Sequence, residues 1–249
     1  MRYKPKRIVA SIEARMGSSR LPGKIMMDIA GRPSLSRQLE RLRHCQLVDS
    51  IVLATTTAVS DEPLVRWAES EGVACFRGSE EDVLARVVGA HRMMESDLII
   101  EVTGDCPLLE PSLIDQGVAL YQANKCDVVS NTWVPSYPQG ADVQVFSREI
   151  LEEVERSIDD PAVREHVSLH FYENPKYKVL HLVAPPELHN PNLRLQLDYP
   201  EDLEFIRTIY RHFEGLGNTD FRLYDILDFL KRHPEHLQLN EHCIEKPLR

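Results

Sequence analysis

Three short stretches of this chain bring together residue types whose chemistry needs them close to one another. The densest is Ala14-Arg15-Met16-Gly17-Ser18-Ser19-Arg20-Leu21-Pro22-Gly23-Lys24, which sets three cations, two hydroxyls and two glycines in one run. Glycines let the backbone approach a ligand, N–H groups cradle oxygens, and Arg and Lys offset charge, so the run suits a polyphosphate. It is not a Walker loop: the interval from Gly17 to Gly23 is one residue too long, and Ile25 stands where Ser or Thr is required. Nor is it a G-x-G-x-x-G, which argues against a nicotinamide dinucleotide. The plainer alternative is a surface loop with a Pro-Gly turn and solvated cations.

The second stretch is Glu101-Val102-Thr103-Gly104-Asp105-Cys106-Pro107-Leu108, where an apolar strand ends in Gly-Asp. A carboxylate placed there suits Mg²⁺, which takes one or two carboxylates plus substrate phosphates rather than a full protein cage. The alternative is an Asp capping a helix that starts near Pro111. The third stretch, Gln196-Leu197-Asp198-Tyr199-Pro200-Glu201-Asp202-Leu203, again closes a strand with an Asp just before a helix. If both strands join one sheet, Asp198 faces Asp105 across a crevice and completes a metal site; spacing alone does not bring the two together.

The elements that must position these residues are legible from hydrophobic periodicity. Short apolar runs rich in β-branched residues read as buried strands at Ile8–Ile12, Ile51–Ala54, Val73–Phe76, Leu98–Val102 and Asp127–Ser130. Between them lie helical faces: Leu35, Leu39 and Leu42; Val83, Leu84, Val87 and Val88; Leu113, Ile114 and Val118. Ser79 with Asp82 resembles a capping box, and Asp61 stands as a cap before Glu62-Pro63. Apolar strands alternating with helices imply an α/β fold, a doubly wound and mostly parallel sheet covered on both faces. In such sheets the loop after the first strand faces the ligand crevice. From Asn131 to Pro191 the pattern changes to proline-rich connectors, two helical segments, and strands near Ala141–Phe146 and Lys178–Val183, which reads as an inserted arm within a single domain of residues 1–249. A strand at Leu193–Leu197, a helix led by Pro200, and a last helix near Tyr224–Arg232 complete the chain, followed by a polar, His-rich tail.

Composition sets limits. The chain of 249 residues is 43% hydrophobic and 27% charged, with a formal net charge of −10, which places it among ordinary globular proteins. The acidic excess argues against nucleic-acid or anionic-membrane binding, while leaving room for a basic pocket around a small phosphate ligand. The five cysteines are scattered without a C-x-x-C pair, as expected of buried thiols in a cytoplasmic protein. The stretch before Glu13 is too short for a signal-peptide core, and no apolar run reaches the length of a membrane span.

Taken with Phe76-Arg77-Gly78-Ser79-Glu80-Glu81-Asp82-Val83-Leu84-Ala85-Arg86 and Tyr137-Pro138-x-Gly140-x-Asp142-Val143, the three stretches resemble the cytidylyltransferase family that makes CMP-activated keto sugars, and within it the spore coat polysaccharide biosynthesis protein F group. The motifs keep their order over essentially the whole chain. The resemblance implies a Rossmann-like nucleotide-diphospho-sugar transferase fold and a Mg²⁺-dependent enzyme that transfers CMP from CTP to an acidic sugar or related phosphorylated acceptor, releasing pyrophosphate, for surface polysaccharide assembly. By motif matching, Arg15, Gly17, Ser18, Arg20, Lys24 and Arg77 serve the nucleotide, with Lys24, Arg20, Asp105 and Asp198 as the catalytic set and the two aspartates as metal ligands. Thr103 stands where related synthetases place a side chain, usually Gln, near cytosine. Tyr137, Asp142, Gln144 and His166 fall to the acceptor, and Gln144 replaces the Glu that the group tends to carry. A homodimer through the arm is implied by the same likeness.

Smaller signals read more simply. His166 and His170 sit four apart as on one helix face, but the Glu of H-E-x-x-H is missing. Trp67 reads as helix packing, Trp133 as a border of the acceptor pocket, and His233, His236, His242 and Cys243 as parts of a solvated tail. Two other functions compete: a nucleotide-sugar-dependent glycosyltransferase, disfavoured because Asp105-Cys106-Pro107 is not an Asp-x-Asp, and a nucleotide-binding protein without turnover.

Overall fold

The computed structural model describes residues 7–244, so the basic start at residues 1–6 and the end of the tail lie outside it. Along the chain run β1 (Ile8–Glu13), a two-residue hairpin of β2 (Asp28–Ile29) and β3 (Arg32–Pro33), α1 (Ser34–Leu42), β4 (Ser50–Thr56), α2 (Glu62–Glu71), β5 (Ala74–Gly78), α3 (Val83–Met93), β6 (Leu98–Thr103) and α4 (Pro111–Ala123). There follow β7 (Val128–Ser130), β8 (Gln144–Ser147), α5 (Arg148–Ser157), α6 (Pro161–Glu165), α7 (Leu169–Glu173), β9 (Val179–His181), α8 (Pro200–Gly215) and α9 (Leu223–Arg232). Seven strands form one sheet in the order β5-β4-β1-β6-β8-β7-β9. It is parallel except at β8, which runs antiparallel to both neighbours.

Both faces are covered, as continuous apolar strands require. Ala10, Ile12, Ile100 and Val145 pack on one face with Leu35 and Leu39 of α1, Ile114 of α4, and Phe205, Ile206 and Ile209 of α8. On the other, Ile99, Val128 and Phe146 meet Leu84, Val87 and Val88 of α3 with Leu151, Val163 and Phe171 from α5 to α7. Trp67 is buried in the core, where its indole N–H donates to Ser36 Oγ at 2.9 Å.

Four sequence expectations need correction. Leu193–Leu197 is not a strand of the sheet: it is an extended segment with a single bridge, Gln139 to Arg194. Its alternation of buried Leu193, Leu195 and Leu197 mimics a strand, but its backbone is held by loops, through Leu195 N–H on Gln139 O and Leu197 N–H on Asp105 O, both at 2.8 Å. The helix after Gly78 is capped by Asp82, which accepts from Ala85 N–H at 2.9 Å, so Ser79 belongs to the preceding turn. Asp61 precedes α2 without capping it, because its carboxylate takes Thr56 Oγ1 and the Met16 N–H instead. His166 and His170 share no helix, since α6 ends at Glu165 and α7 begins at Leu169.

The C-terminal segment is also more than a tail. A 3-10 turn at Pro234–Leu239 packs on α8 and α9, and buried Asn240 donates to Arg194 O at 3.2 Å and Asp202 Oδ1 at 2.9 Å. Asp202, with no exposed surface, also receives the Arg194 guanidinium at 3.1 Å and the N–H groups of Asp198 and Tyr199 at 3.0 Å each. Removing its carboxylate leaves a buried guanidinium without its partner, so Asp202→Ala is expected to lose about 3–5 kcal/mol of stability. Urea denaturation of the two proteins checks it.

Candidate active site

The loop after β1 is fixed at several points. Met16 N–H donates to Asp61 Oδ1 at 2.8 Å, and Gly23 N–H returns to Met16 O at 3.0 Å. Gly23 takes the left-handed conformation, with φ of 72°, which favours glycine and turns the chain into a 3-10 turn at Lys24–Met26. Ile25, buried behind this turn, anchors it to the core. The Lys24 side chain is thereby aimed back over the strand ends.

Lys24 draws the other two stretches together. Its Nζ donates to Asp105 Oδ2 at 2.8 Å and to Asp198 Oδ1 at 2.6 Å. Arg20 NH2 sits 2.8 Å from the second oxygen of Asp198, and Gln196 Nε2 donates to Asp105 Oδ2 at 3.2 Å. The two aspartates thus meet at one point despite their distance in sequence. Asp105 does not cap α4; Glu110 does. Asp105 is positioned by Gly104, whose N–H donates to Glu13 O at 2.8 Å and where an added Cβ would sit 2.8 Å from that same oxygen.

The charges respond to this arrangement. Burial pushes the Asp105 carboxyl up, but the Lys24 ammonium and its hydrogen bonds outweigh it and hold the group below the usual carboxylate range. Burial acts against the Lys24 ammonium too, and the two carboxylates reverse that, leaving Lys24 raised. An ammonium shared by two carboxylates marks a place built for positive charge. The donor set, carboxylate oxygens around a cation, matches what Mg²⁺ accepts.

The remaining sequence-derived residues are spread around this centre. Arg15 is exposed and pairs with Glu80 at 3.4 Å, Gly17 lies beside the Glu80 side chain, and Ser18 Oγ accepts Leu21 N–H at 3.4 Å. Arg77 lies farther out on β5, where its guanidinium binds Thr56 O, Ala58 O and Glu62. Thr103 is exposed at the end of β6, with Oγ1 3.3 Å from Cys106 Sγ. Tyr137 is buried, Asp142 is half-buried and adds, after burial and Asp105, to the upward push on the Cys106 thiol, and His166 is half-buried after α6. Gln144 is buried on β8, its Oε1 2.5 Å from Ser168 Oγ and 2.6 Å from Tyr172 OH. Trp133 stacks on Tyr172 with ring centroids 5.3 Å apart.

Residues to which the sequence reading gave no role complete the picture: Gln196 on Asp105, Arg194 and Asp202 behind Asp198, and Glu13 and Glu101 on the β1–β6 face, with Glu13 near Asp105. The two glutamates carried a signal, a carboxylate inside an otherwise apolar strand. Burial pushes Glu13 up to about 8, with Arg86 opposing and Asp105 adding to the rise. Glu101 is raised well above its ordinary value by burial and by Glu13. Between pH 4.5 and about 8 the folded chain keeps a proton on Glu13 that the unfolded chain releases, so this contribution to stability is whole below that window and falls as pH rises through it. Glu13→Gln, uncharged throughout, is expected to flatten that decline in the pH profile of urea denaturation.

A family model for cytidylyltransferases matches residues 9–224. The chain is 35% identical over 244 residues to an uncharacterized protein of Methanocaldococcus jannaschii, covering 98% of each. It is 31% identical over 235 residues to the spore coat polysaccharide biosynthesis protein SpsF of Bacillus subtilis, covering 92% of this chain and 95% of that one. The solved structure of a cytidylyltransferase from Leptospira borgpetersenii serovar Hardjo-bovis superposes with a TM-score of 0.85 at 29% identity, covering 93% of this chain and 96% of the other. By sequence and by fold, the chain is a member of the cytidylyltransferase family.

Proposed function

We propose that this protein transfers CMP from CTP to an acidic sugar or a related phosphorylated acceptor, releasing pyrophosphate, in the assembly of a surface polysaccharide. The observation that carries this reading is the Lys24 ammonium lodged between Asp105 and Asp198 at the mouth of the glycine- and cation-rich loop. Family membership supports the cytidylyl donor, and the name of the Bacillus subtilis relative supports the polysaccharide setting.

The parts act as follows. Backbone N–H groups of the loop near Gly17, with Ser18 and Arg15, receive the triphosphate. Arg20 and Lys24 supply positive charge to the phosphates as the acceptor oxygen attacks the α-phosphorus in line and pyrophosphate departs. For Lys24 to do so, its contacts with the two carboxylates must be exchanged for contacts with phosphate. Asp105 and Asp198 would hold Mg²⁺, which when bound supplies Lewis-acid and template chemistry at the phosphates. Gln196 and Arg194 keep the two carboxylates oriented, the first on Asp105 at 3.2 Å and the second 3.8 Å from Asp198. Tyr137, Asp142, Gln144 and His166 lie toward the arm, on the acceptor's side.

Three measurements test this. In a thermal-shift series with the four nucleoside triphosphates and Mg²⁺, CTP is expected to raise the melting point most, because a ligand that binds only the folded state stabilises it; equal shifts would remove the cytosine assignment. Lys24→Ala is expected to lower kcat/KM for pyrophosphate release about a hundredfold, the usual scale for a charge-stabilising donor. Asp105→Asn is expected to fold and to lose turnover, and full activity at limiting Mg²⁺ would overturn its role as a metal ligand. Release of a nucleoside diphosphate from a sugar donor, with no pyrophosphate from CTP, would instead make the protein a glycosyltransferase.

A further inference from the structure

The C-terminal turn carries a group of side chains that the cytidylyl-transfer chemistry does not use. His233, Glu235 and His236 stand close together in sequence, where α9 gives way to the 3-10 turn at Pro234–Leu239. Such a turn has three residues per revolution, so side chains at i and i+3 eclipse, and His233 and His236 rise on one edge. Their ring centroids are 6.0 Å apart. Each of the three residues offers one ligand atom, an imidazole nitrogen or a carboxylate oxygen, and these atoms all lie within 4.8 Å of one another.

The frame beneath them is fixed at both ends. His233 N–H donates to Phe229 O at 2.9 Å, and His236 N–H to His233 O at 3.2 Å. Phe229 is buried, and its ring lies 5.0 Å from that of His233 and 5.4 Å from that of His236, the second pair stacked. Asn240 holds the far end of the turn, buried against Arg194 and Asp202. Ligands on a backbone already locked lose little freedom when they close on an ion. The surrounding charge is not prohibitive, since the neighbouring Arg232 is paired with Asp228. Glu235 is held below the usual carboxylate range by a backbone hydrogen bond first and then by His233, so it carries its negative charge. Its contact with His233 Nδ1 is long, 3.4 Å, between side chains that expose 62% and 45% of their surface. Little is lost by breaking such a pair.

Zn²⁺ takes imidazole nitrogen and carboxylate oxygen at about 2.0–2.2 Å, which sets the ligand atoms of a tetrahedron about 3.4 Å apart. From 4.8 Å, closing that gap takes at most about 1.4 Å, within reach of small rotations of exposed side chains. Two imidazoles and one carboxylate suit a borderline transition metal, whereas the all-oxygen pair Asp105 and Asp198 suits Mg²⁺. The two places therefore favour different classes of ion.

We propose that His233, Glu235 and His236 form a binding site for a divalent transition-metal ion of the zinc class, with water in the fourth position. On binding, any proton shared by His233 and Glu235 goes to solvent. The ion ties the end of α9 to the turn that presents Asn240, and so reinforces the packing behind Asp202 and Asp198. The site does not depend on the cytidylyl-transfer reading and stands or falls without it.

The test is a calorimetric titration of the full, untagged chain, stripped of metal by a chelator, with Zn²⁺ alone and with Zn²⁺ in excess Mg²⁺. A Zn²⁺ binding event that Mg²⁺ does not displace is expected. His233→Ala and His236→Ala are each expected to weaken it about tenfold or more, since even the loss of a ligand's outer partner costs about that much. Asp105→Asn, at the reaction centre, is expected to leave it within about twofold. The side chain of His233 is 45% exposed, so its variant is expected to keep a cooperative unfolding transition. Hydrogen exchange gives a second reading that needs no variant: Zn²⁺ is expected to slow exchange of the amides at 233–240. The absence of Zn²⁺ binding, binding unchanged by both histidine substitutions, its loss in Asp105→Asn, its displacement by Mg²⁺, or protection confined to the loop at 14–24 would overturn the proposal.

Discussion

The geometry of the site depends on the repulsion that Lys24 relieves. Asp105 and Asp198 are both within 2.8 Å of one ammonium, and their side chains expose no more than 15% of their surface. Two carboxylates about 5 Å apart at the effective dielectric of a protein surface repel by roughly 3 kcal/mol, and more as water is excluded. Without a cation between them, one would take up a proton or the two loops would part. Lys24 prevents both, and Arg20 takes the outer oxygen of Asp198 at 2.8 Å. The loop after β1, the end of β6 and the approach to α8 are thus held to one point by charge, and a stronger cation at that point would find its oxygens already converged.

The support behind this point is unequal. Asp198 rests on an inner shell in which Asp202, Arg194 and Asn240 satisfy one another away from solvent. Asp105 rests mainly on its backbone: Gly104 pressed against Glu13 O, and Asp105 O accepting Leu197 N–H. One aspartate is therefore held by its own N–H and the first turn of a helix, the other by a glycine and a neighbouring loop. The close approach at Gly104 also carries the loop past Glu13, so the charged centre and the buried carboxyls on the β1 and β6 face are built from the same few residues.

Much of this was legible in the sequence. Strands β1, β4, β5, β6 and β7 and the apolar faces of α1, α3, α4 and α8 follow from periodicity, and Lys24 and Asp105 stand out by glycine, proline and charge beside strand ends. What escaped did so for physical reasons. Leu193–Leu197 has the alternation of a strand because burial on one side of any extended segment imposes it, whether or not a sheet is present. Asp61 has the type and place of a helix cap, yet a buried carboxylate beside two threonine hydroxyls and a free N–H gains more from them. Glu13 and Glu101 sit in runs whose apolar character dominates the pattern, and only their common face in the folded sheet shows them to be neighbours. Asn240 lies in a polar stretch with no periodicity to distinguish a packed turn from a solvated tail.

The one antiparallel strand of the sheet explains how the second half of the chain returns to the edge that carries Lys24. β7 runs parallel to β6 and so ends at the crevice; β8 runs the other way and so begins there. The connection at 131–143, which carries Trp133, Tyr137 and Asp142, must then lie wholly over the ligand edge, where a parallel β8 would have needed a crossover to the far side and back. β9, parallel to β7, also ends at this edge, and Leu182 N–H continues the contact by donating to Ser130 O at 2.8 Å. From there the chain passes Gln139, whose O takes the Leu195 N–H, and arrives at Asp198. Gly140 permits that passage: its φ is 89°, and a Cβ there would meet Gln196 N at 2.8 Å. The segment that packs against the 131–143 connection is therefore the same one that delivers the second aspartate to Lys24, so that connection and the charged centre are mechanically coupled through Gln139, Gly140 and the 193–197 segment.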